Sequence, residues 1–575
     1  MDTTTYQPLS HWRQLIIAAS ILLLAPALVI AEPDAATLAA AGVSELEQLV
    51  VDAAGGVGNA TPGAAWLEAN GTRIGEIILD KHDVFDTDQP RQRKSLFRLA
   101  NRLHIDTRDS TIRTQLLFNE GDPYSTRILE ESERLLRKNR YFYDAHIYPS
   151  NYRDGVVDIV VSTRDVWTLS LGFSASRKGG TNRTNLELEE NNLLGLGSKL
   201  SVDVSSDVDR DSTRFEYSDS HIGDSFVRTS LMLTSSSDGD TTEFELERPF
   251  YSLDTRWAAG FDYYDDDRID SVYDLGKVVA SYNHSHTMAR LYAGKSQGLI
   301  DGWVSRWKTG LVVDDSIFRE TPSDFTAQVM PENRKYAYPF IAYELFEDRY
   351  AETSNQDQID RTEDVHLGTH FTAQLGWSDK SFGAGENALL YELSTGTGFG
   401  VPQNKMLLLD AALHGMTLGD KASRTQLGLQ ARYYKRQSEK RLFFSGVAID
   451  LSDNPALDEL LEIGGTTGLR GYPLRYQVGK GRALVSLEQR YFTDWYPFQL
   501  IRVGGAIFAD AGRTWGQNAV GSESLGWLAD VGFGLRLAPT RSSSGKLLHL
   551  DIAFPLNAPA DIDSVQFLLE ARKSF

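Results

Sequence analysis

The chain has 575 residues, 41% of them hydrophobic and 24% charged, which is too long for one ordinary domain and too apolar for a mainly disordered chain. It contains no cysteine, so disulfides, thiolate metal sites and a lipid-modified cysteine are excluded. A formal net charge of -21 argues against a nucleic-acid partner, because a duplex binder needs a basic face to displace counterions.

The only long apolar run is Leu15 to Ala31, preceded by His11, Trp12 and Arg13 and ending in Val29-Ile30-Ala31. That anatomy predicts a cleaved signal peptide over residues 1–31. The alternative is an N-terminal anchor, since the run approaches the ~18 to 20 residues that span hydrocarbon. Residues 32–71 are Ala- and Gly-rich with few aromatics and read as a linker, in which only Ser44 to Val51 is a candidate helix. No second apolar stretch of that length follows, so a mature chain that crosses a membrane must do so as a closed barrel, because an open sheet leaves unpaired backbone groups in lipid.

Residues 72–164 have an α+β texture. A β-like run carries Ile74, Ile77, Ile78 and Leu79. A first helix is predicted from Ser110 to Phe118, with Ile112, Leu116 and Leu117 on one face, ending at Asn119-Glu120-Gly121-Asp122-Pro123. A second starts at a Ser125 cap and runs to about Asn139 with Ile128, Leu129, Leu135 and Leu136 at helical spacing. Two strands follow, Phe142 to Tyr148 and Val156 to Val161. This order, with Leu117-Phe118-Asn119-Glu120-Gly121-Asp122-Pro123-Tyr124 and Leu135-Leu136-Arg137, resembles a POTRA domain of the BamA/TamA surface-antigen superfamily. A long basic insert from Pro90 to Arg108 departs from the compact POTRA pattern.

Residues 165–575 alternate with period two, as a transmembrane β-barrel with a wet interior requires. Val565, Phe567, Leu569 and Ala571 share one face against Gln566, Glu570, Arg572 and Ser574. Val531, Phe533, Leu535 and Leu537 do the same, as do Leu548, Leu550, Ile552 and Phe554. A soluble β-sandwich also alternates. Aromatics near the proposed strand ends (Trp167, Tyr217, Trp257, Tyr491, Phe492, Trp495, Trp527) and the terminal Phe575 favour the barrel. The stretch from Asp165 to Asp314 has room for ten short strands. The resemblance implies sixteen in all, and the unaided count runs somewhat higher. The expected fold is therefore mainly β, an antiparallel barrel of about sixteen strands behind a small α+β domain.

Two motifs carry mechanism. Gly464-Gly465-Thr466-Thr467-Gly468-Leu469-Arg470-Gly471-Tyr472 lies between two predicted strands, and Phe508-Ala509-Asp510-Ala511-Gly512 follows downstream. A guanidinium inside a lumen is costly unless paired; Asp510 can accept its bidentate hydrogen bonds while Gly471 and Gly512 permit close backbone approach. Arg470 and Asp510 are thus expected to form a latch, with Glu488 as a second acceptor, the alternative being ordinary lumen charges. Together the motifs resemble the extracellular loop of BamA-, TamA- and FhaC-type barrels that folds back into the lumen, and the Phe-x-Asp-x-Gly strand of the same superfamily. Asn191-Asn192-Leu193-Leu194-Gly195-Leu196-Gly197 resembles that superfamily's periplasmic turn after the second barrel strand rather than a phosphate loop, which would need a helix behind it.

Other candidates are weaker. His366 and His370, four residues apart on one strand, would lie ~13 Å apart, too far for one metal ion. His284 and His286 are expected ~7 Å apart on a strand face, and Asp265-Asp266-Asp267 is expected as a solvated loop with some capacity to bridge divalent cations or lipopolysaccharide. No Ser/His/Asp set stands out, so no catalytic residue, cofactor or metal is expected. The resemblance implies a bacterial outer-membrane protein with its N-terminal domain in the periplasm, which inserts or translocates client polypeptides. The client is taken at the POTRA edge strand and passed to a lateral seam where Leu171 in the first barrel strand faces Leu569 in the last. A two-partner secretion transporter for a dedicated client and a passive pore or surface antigen are the alternatives.

Overall fold

A computed structural model describes residues 61–572, apart from 179–180, 224, 322–329, 419–422, 466, 517–523 and 560–561. The expected signal peptide, the linker up to residue 60 and Phe575 lie outside the described residues.

The N-terminal part is a small α+β domain. Helix Ala64–Ala69 leads into strand Arg73–His82, followed by helices Ser95–Leu103, Asp109–Arg113 and Thr126–Arg137 and strands Phe142–Arg153 and Val156–Asp165. Val156–Asp165 is the central strand, parallel to Arg73–His82 and antiparallel to Phe142–Arg153, which leaves Phe142–Arg153 at an edge. The 3.6-residue spacing of Leu129 and Leu136 puts both under the sheet, where they pack with Ile112, Phe142, Val157 and Ile159. Ser125 holds the extended backbone of an N-cap, but its side chain makes no capping bond. The helix expected over 110–118 stops at Arg113; Leu116 and Phe118 still enter the core from the non-helical stretch, and this tertiary packing is what their spacing records. The basic insert contributes helix Ser95–Leu103, which is anchored by Phe97 stacking on Phe85 at 4.4 Å.

Among the described residues the rest is one antiparallel sheet of twenty strands in which chain neighbours are wall neighbours, from Leu169–Lys178 to Gln566–Arg572. Among the described residues the ring closes through a single ladder pair, Leu569 with Arg177. Two short hairpins leave the wall, Tyr350–Ser354 with Thr362–His366 and Leu461–Ile463 with Gln477–Gly479. Twenty strands replace the sixteen expected, because strand number follows from how many tight turns the wall carries. Leu275-Gly276 and Asp301-Gly302 have positive φ at both positions, the mirror-image turns whose twist suits two-residue hairpins. They join Trp257–Asp274, Lys277–Ile300 and Trp303–Glu320, which far exceed the ~9 to 11 residues needed to span a bilayer.

The period-two pattern separates the two faces of the wall. Ile507, Phe533, Leu535 and Phe567 are exposed outward, whereas Glu488, Arg490, Asp510, Arg536, His549 and Asp551 are buried inward. An apolar outside around a charged interior is the reverse of a soluble sandwich. Of the expected aromatic girdle, Trp257, Trp495 and Trp527 are exposed, but Phe492 is buried among inward residues and Trp167 packs at the junction with the small domain. Asp265-Asp266-Asp267 is a stretch of strand rather than a loop. Asp266 turns inward to accept from Thr241 at 2.6 Å and pair with Arg268 at 2.5 Å, which offsets its burial.

Candidate functional site

The loop between strands Arg441–Asp453 and Gly481–Phe492 folds into the barrel. Its stem is the hairpin Leu461–Ile463 with Gln477–Gly479, and Ile463, Leu469, Tyr472 and Tyr476 pack there against Leu528. From this apolar base Arg470 reaches the inner wall, where its guanidinium is almost fully enclosed. Nε donates to Asp510 Oδ2 at 2.6 Å and Nη2 to Asp510 Oδ1 at 2.9 Å, a bidentate fork. Nη1 donates to Glu488 Oε1 at 2.8 Å, and the guanidinium plane lies 3.5 Å over the Phe508 ring. Ser486 Oγ donates to Asp510 Oδ1 at 2.6 Å.

Register explains the convergence. Ser486 and Asp510 are ladder partners, as are Glu488 and Phe508, so alternate residues of two neighbouring strands aim four groups at one point. The glycines admit the loop: a Cβ on Gly471 would stand 2.7 Å from Asp530 Cβ, and one on Gly512 would stand 2.4 Å from Ile463 Cδ1. Gly471 N–H donates to Asp530 Oδ2 at 3.0 Å, and the Tyr472 hydroxyl to Asn557 Oδ1 at 2.8 Å. Arg470, Gly471, Tyr472, Glu488, Asp510 and Gly512 thus lie together. Leu171 and Leu569 do not: Leu171 pairs with Leu188, and the seam partner of Leu569 is Arg177, six residues along the strand.

A second lumen element has no sequence motif. The segment between barrel strands Arg334–Glu347 and His370–Ser378 turns into the barrel mouth that faces the α+β domain, as the hairpin Tyr350–Ser354 with Thr362–His366. Ile359 and Leu367 pack among inward-facing Met406, Tyr434, Leu442 and Phe492. Arg490 Nη1 donates to Gln356 O at 2.7 Å and Asp357 Oδ1 at 2.9 Å, while its Nε donates to Glu488 Oε2 at 2.9 Å. Glu488 therefore joins the two lumen elements, one oxygen to Arg470 and the other to Arg490.

The hairpin also holds the α+β domain. Arg137 forks onto Asp364 at 2.9 and 2.6 Å and reaches Glu352 at 2.7 Å. Arg361 donates to the carbonyls of Phe142 and Tyr143, at the start of the domain's edge strand. Inside the hairpin Glu363 accepts the N–H groups of Gln356 and Asp357, and burial beside Asp357 pushes its carboxyl up to about 7. The signal for this element in sequence is a loop of polar and charged residues too long for a periplasmic turn, flanked by His366 and His370. Those histidines lie on separate strands around a corner, with rings 5.9 Å apart rather than the distance expected along one strand. His366 Nε2 is 2.8 Å from the Glu347 carbonyl oxygen. The rings of His284 and His286 are also 5.9 Å apart, and each faces an aspartate, Asp270 and Asp314.

An antiparallel barrel with an apolar exterior, a loop latched into a charged lumen and an α+β domain against its mouth defines a transmembrane barrel with a small α+β domain attached. No protein-family model matches the chain. Over 102 residues it is 29% identical to the outer membrane protein assembly factor BamA of Buchnera aphidicola, a stretch that is 17% of this chain and 16% of that relative. Among solved structures it is similar to BamA from Haemophilus ducreyi lacking POTRA domains 1–3, with 14% identity, 86% of this chain and 84% of that chain covered, and a TM-score of 0.37. It is likewise similar to CdiB from Escherichia coli, at 13% identity, 86% and 76% coverage and a TM-score of 0.45. The stretch matched to BamA is a small part of either chain, and what the described chain shows as a whole is the fold, an antiparallel β-barrel behind a small α+β domain.

Proposed function

We propose that this protein inserts or moves client polypeptides at the outer membrane, taking a client strand on the edge of a periplasmic POTRA-type domain and passing it to the seam of the barrel. The seam carries this reading. Among the described residues Leu569 with Arg177 is its one ladder pair, whereas the neighbouring strands pair continuously from Leu547 with Arg572 to Ala553 with Gln566. Unpaired N–H and C=O groups on two facing edges are templates for an incoming strand, and leaving them so in lipid costs on the order of several kcal/mol per group. A client strand entering there satisfies both edges. The edge strand Phe142–Arg153 offers the same chemistry on the periplasmic side, with Tyr148 exposed and Phe142 buried in the core.

The filled lumen favours lateral handling over a passive pore or export of a dedicated client through the barrel, since both of those require the Arg470 loop and the Asp357 hairpin to leave together. A cysteine pair, Arg177→Cys with Leu569→Cys, tests it in a chain that has no other thiol. Oxidation should stop insertion of an unfolded eight-stranded barrel protein into vesicles and reduction should restore it; full activity with the bond closed overturns the proposal. A photocrosslinker at Tyr148 should trap the client.

A further inference from the structure

The insert between the first strand and the core helices of the α+β domain stands out by charge and by exposure. In a chain of net charge -21, residues 90–108 hold Arg91, Arg93, Lys94, Arg98, Arg102 and Arg108 against one acid, Asp106. Its helix Ser95–Leu103 buries Phe97 against Val84 and Phe85, in a cluster that includes Trp167 and Leu500 at the barrel's periplasmic end. At 100° per residue, Leu96, Leu99 and Leu103 form a second stripe away from Phe97, with Arg98 and Arg102 beside it. These leucines are 68%, 51% and 64% exposed, and Ile105 continues the stripe at 51%. An apolar stripe this open costs free energy in water, about 25 cal/mol per Å² left uncovered.

The surroundings indicate what covers it. The turn at residues 493–500 exposes Trp495 and Phe498 at the same end of the barrel, where aromatics sit at a membrane–water interface. The adjoining cavity of about 740 Å³ is of mixed charge, lined by Arg91, Arg164, Arg502 and Arg541 and by Asp83, Asp86, Asp88, Asp360 and Asp494. Arg164 stacks on Tyr143 at 3.8 Å, Arg541 donates to the Val84 carbonyl, and among the described residues neither has a carboxylate within 4 Å.

We infer that helix Ser95–Leu103 is a membrane-surface element that lies in the periplasmic leaflet, its leucines among acyl chains and its arginines on the phosphates of anionic phospholipids. It seats the α+β domain against the lipid independently of how a client is handled. The outer-membrane placement of the barrel supplies the surface, and an amphipathic helix with basic flanks binds such a surface by buried apolar area plus attraction to anionic headgroups.

Bimane attached at Leu99→Cys, in the full chain reconstituted in vesicles of phosphatidylglycerol and phosphatidylethanolamine, tests the inference, with Glu130→Cys as the aqueous control. Lipid-borne nitroxide should quench the probe at position 99, and iodide should reach it at least five-fold less than at position 130. Vesicles of phosphatidylcholine alone, or Arg98→Glu with Arg102→Glu, should raise iodide access at least two-fold. Equal iodide access at the two positions overturns the inference, and shielding indifferent to lipid charge overturns its anionic part. Shielding that grows with protein concentration, in detergent as in vesicles, assigns the face to a second copy and also overturns it. The exposed leucines and arginines carry none of the core, so these variants fold.

Discussion

The two elements that fill the lumen are held by opposite means. The Arg470 loop is fixed by buried charges: a guanidinium shared between Asp510 and Glu488, all enclosed by the wall. The Asp357 hairpin is fixed by distributed bonds in which buried Arg490 and Arg137 meet the partly exposed carboxylates of Asp357, Asp364 and Glu352, with Ile359 and Leu367 as its apolar foot. A buried ion pair adds little net stability over an apolar filling but costs heavily when one partner is removed, so the loop's hold depends on all three charges together. Partly exposed bonds fail one at a time, so the hairpin is suited to graded release. Because Glu488 bonds both Arg470 and Arg490, the two elements share one carboxylate.

The largest expected effect is at the latch. Arg470→Ala or Asp510→Asn should destabilise the folded barrel by about 3–5 kcal/mol, read as a lower temperature for loss of the compact form on gels. Exchanging the charges, Arg470→Asp with Asp510→Arg, should not restore it, since the new carboxylate at position 470 would face Glu488; full rescue would mean that Glu488 is a minor partner. Asp357→Asn should cost less, about 1–2 kcal/mol, because Asp357 is 29% exposed in its pair with Arg490. A double-mutant cycle between Arg470→Ala and Asp357→Asn should show coupling above about 0.5 kcal/mol, and additive losses would show that the loop and the hairpin are independent.

The smallest effect is a pH dependence confined to the hairpin. Glu363 has a folded-state pKa of about 7 against an ordinary value of 4.5, so its contribution is fully present below 4.5 and is lost as pH rises through 7. Amide protection at residues 355–361, corrected for the intrinsic pH dependence of exchange, should therefore fall as pH rises from about 4.5 through 7, while the corrected protection of the Arg470 loop stays flat. Glu363→Gln should remove the dependence; a slope that survives that change would locate the titration elsewhere.

Alternation of apolar and polar residues is a local property of each strand, so it was legible before any contact was known, and with it the inward and outward faces of Val531 to Leu537 and Leu548 to Phe554. The latch was legible for a related reason: a guanidinium beside glycine in a loop, and an aspartate with glycine two residues on, announce a buried charge and its acceptor. Strand number, the seam register that sets Leu569 opposite Arg177 rather than Leu171, and the descent of the Tyr350–His366 hairpin to Arg490 were decided only by tertiary structure. Each depends on which distant strand or loop comes to lie alongside. Charged residues in a surface loop and charged residues in a plug have the same composition, and only the partner at the far end of the chain distinguishes them.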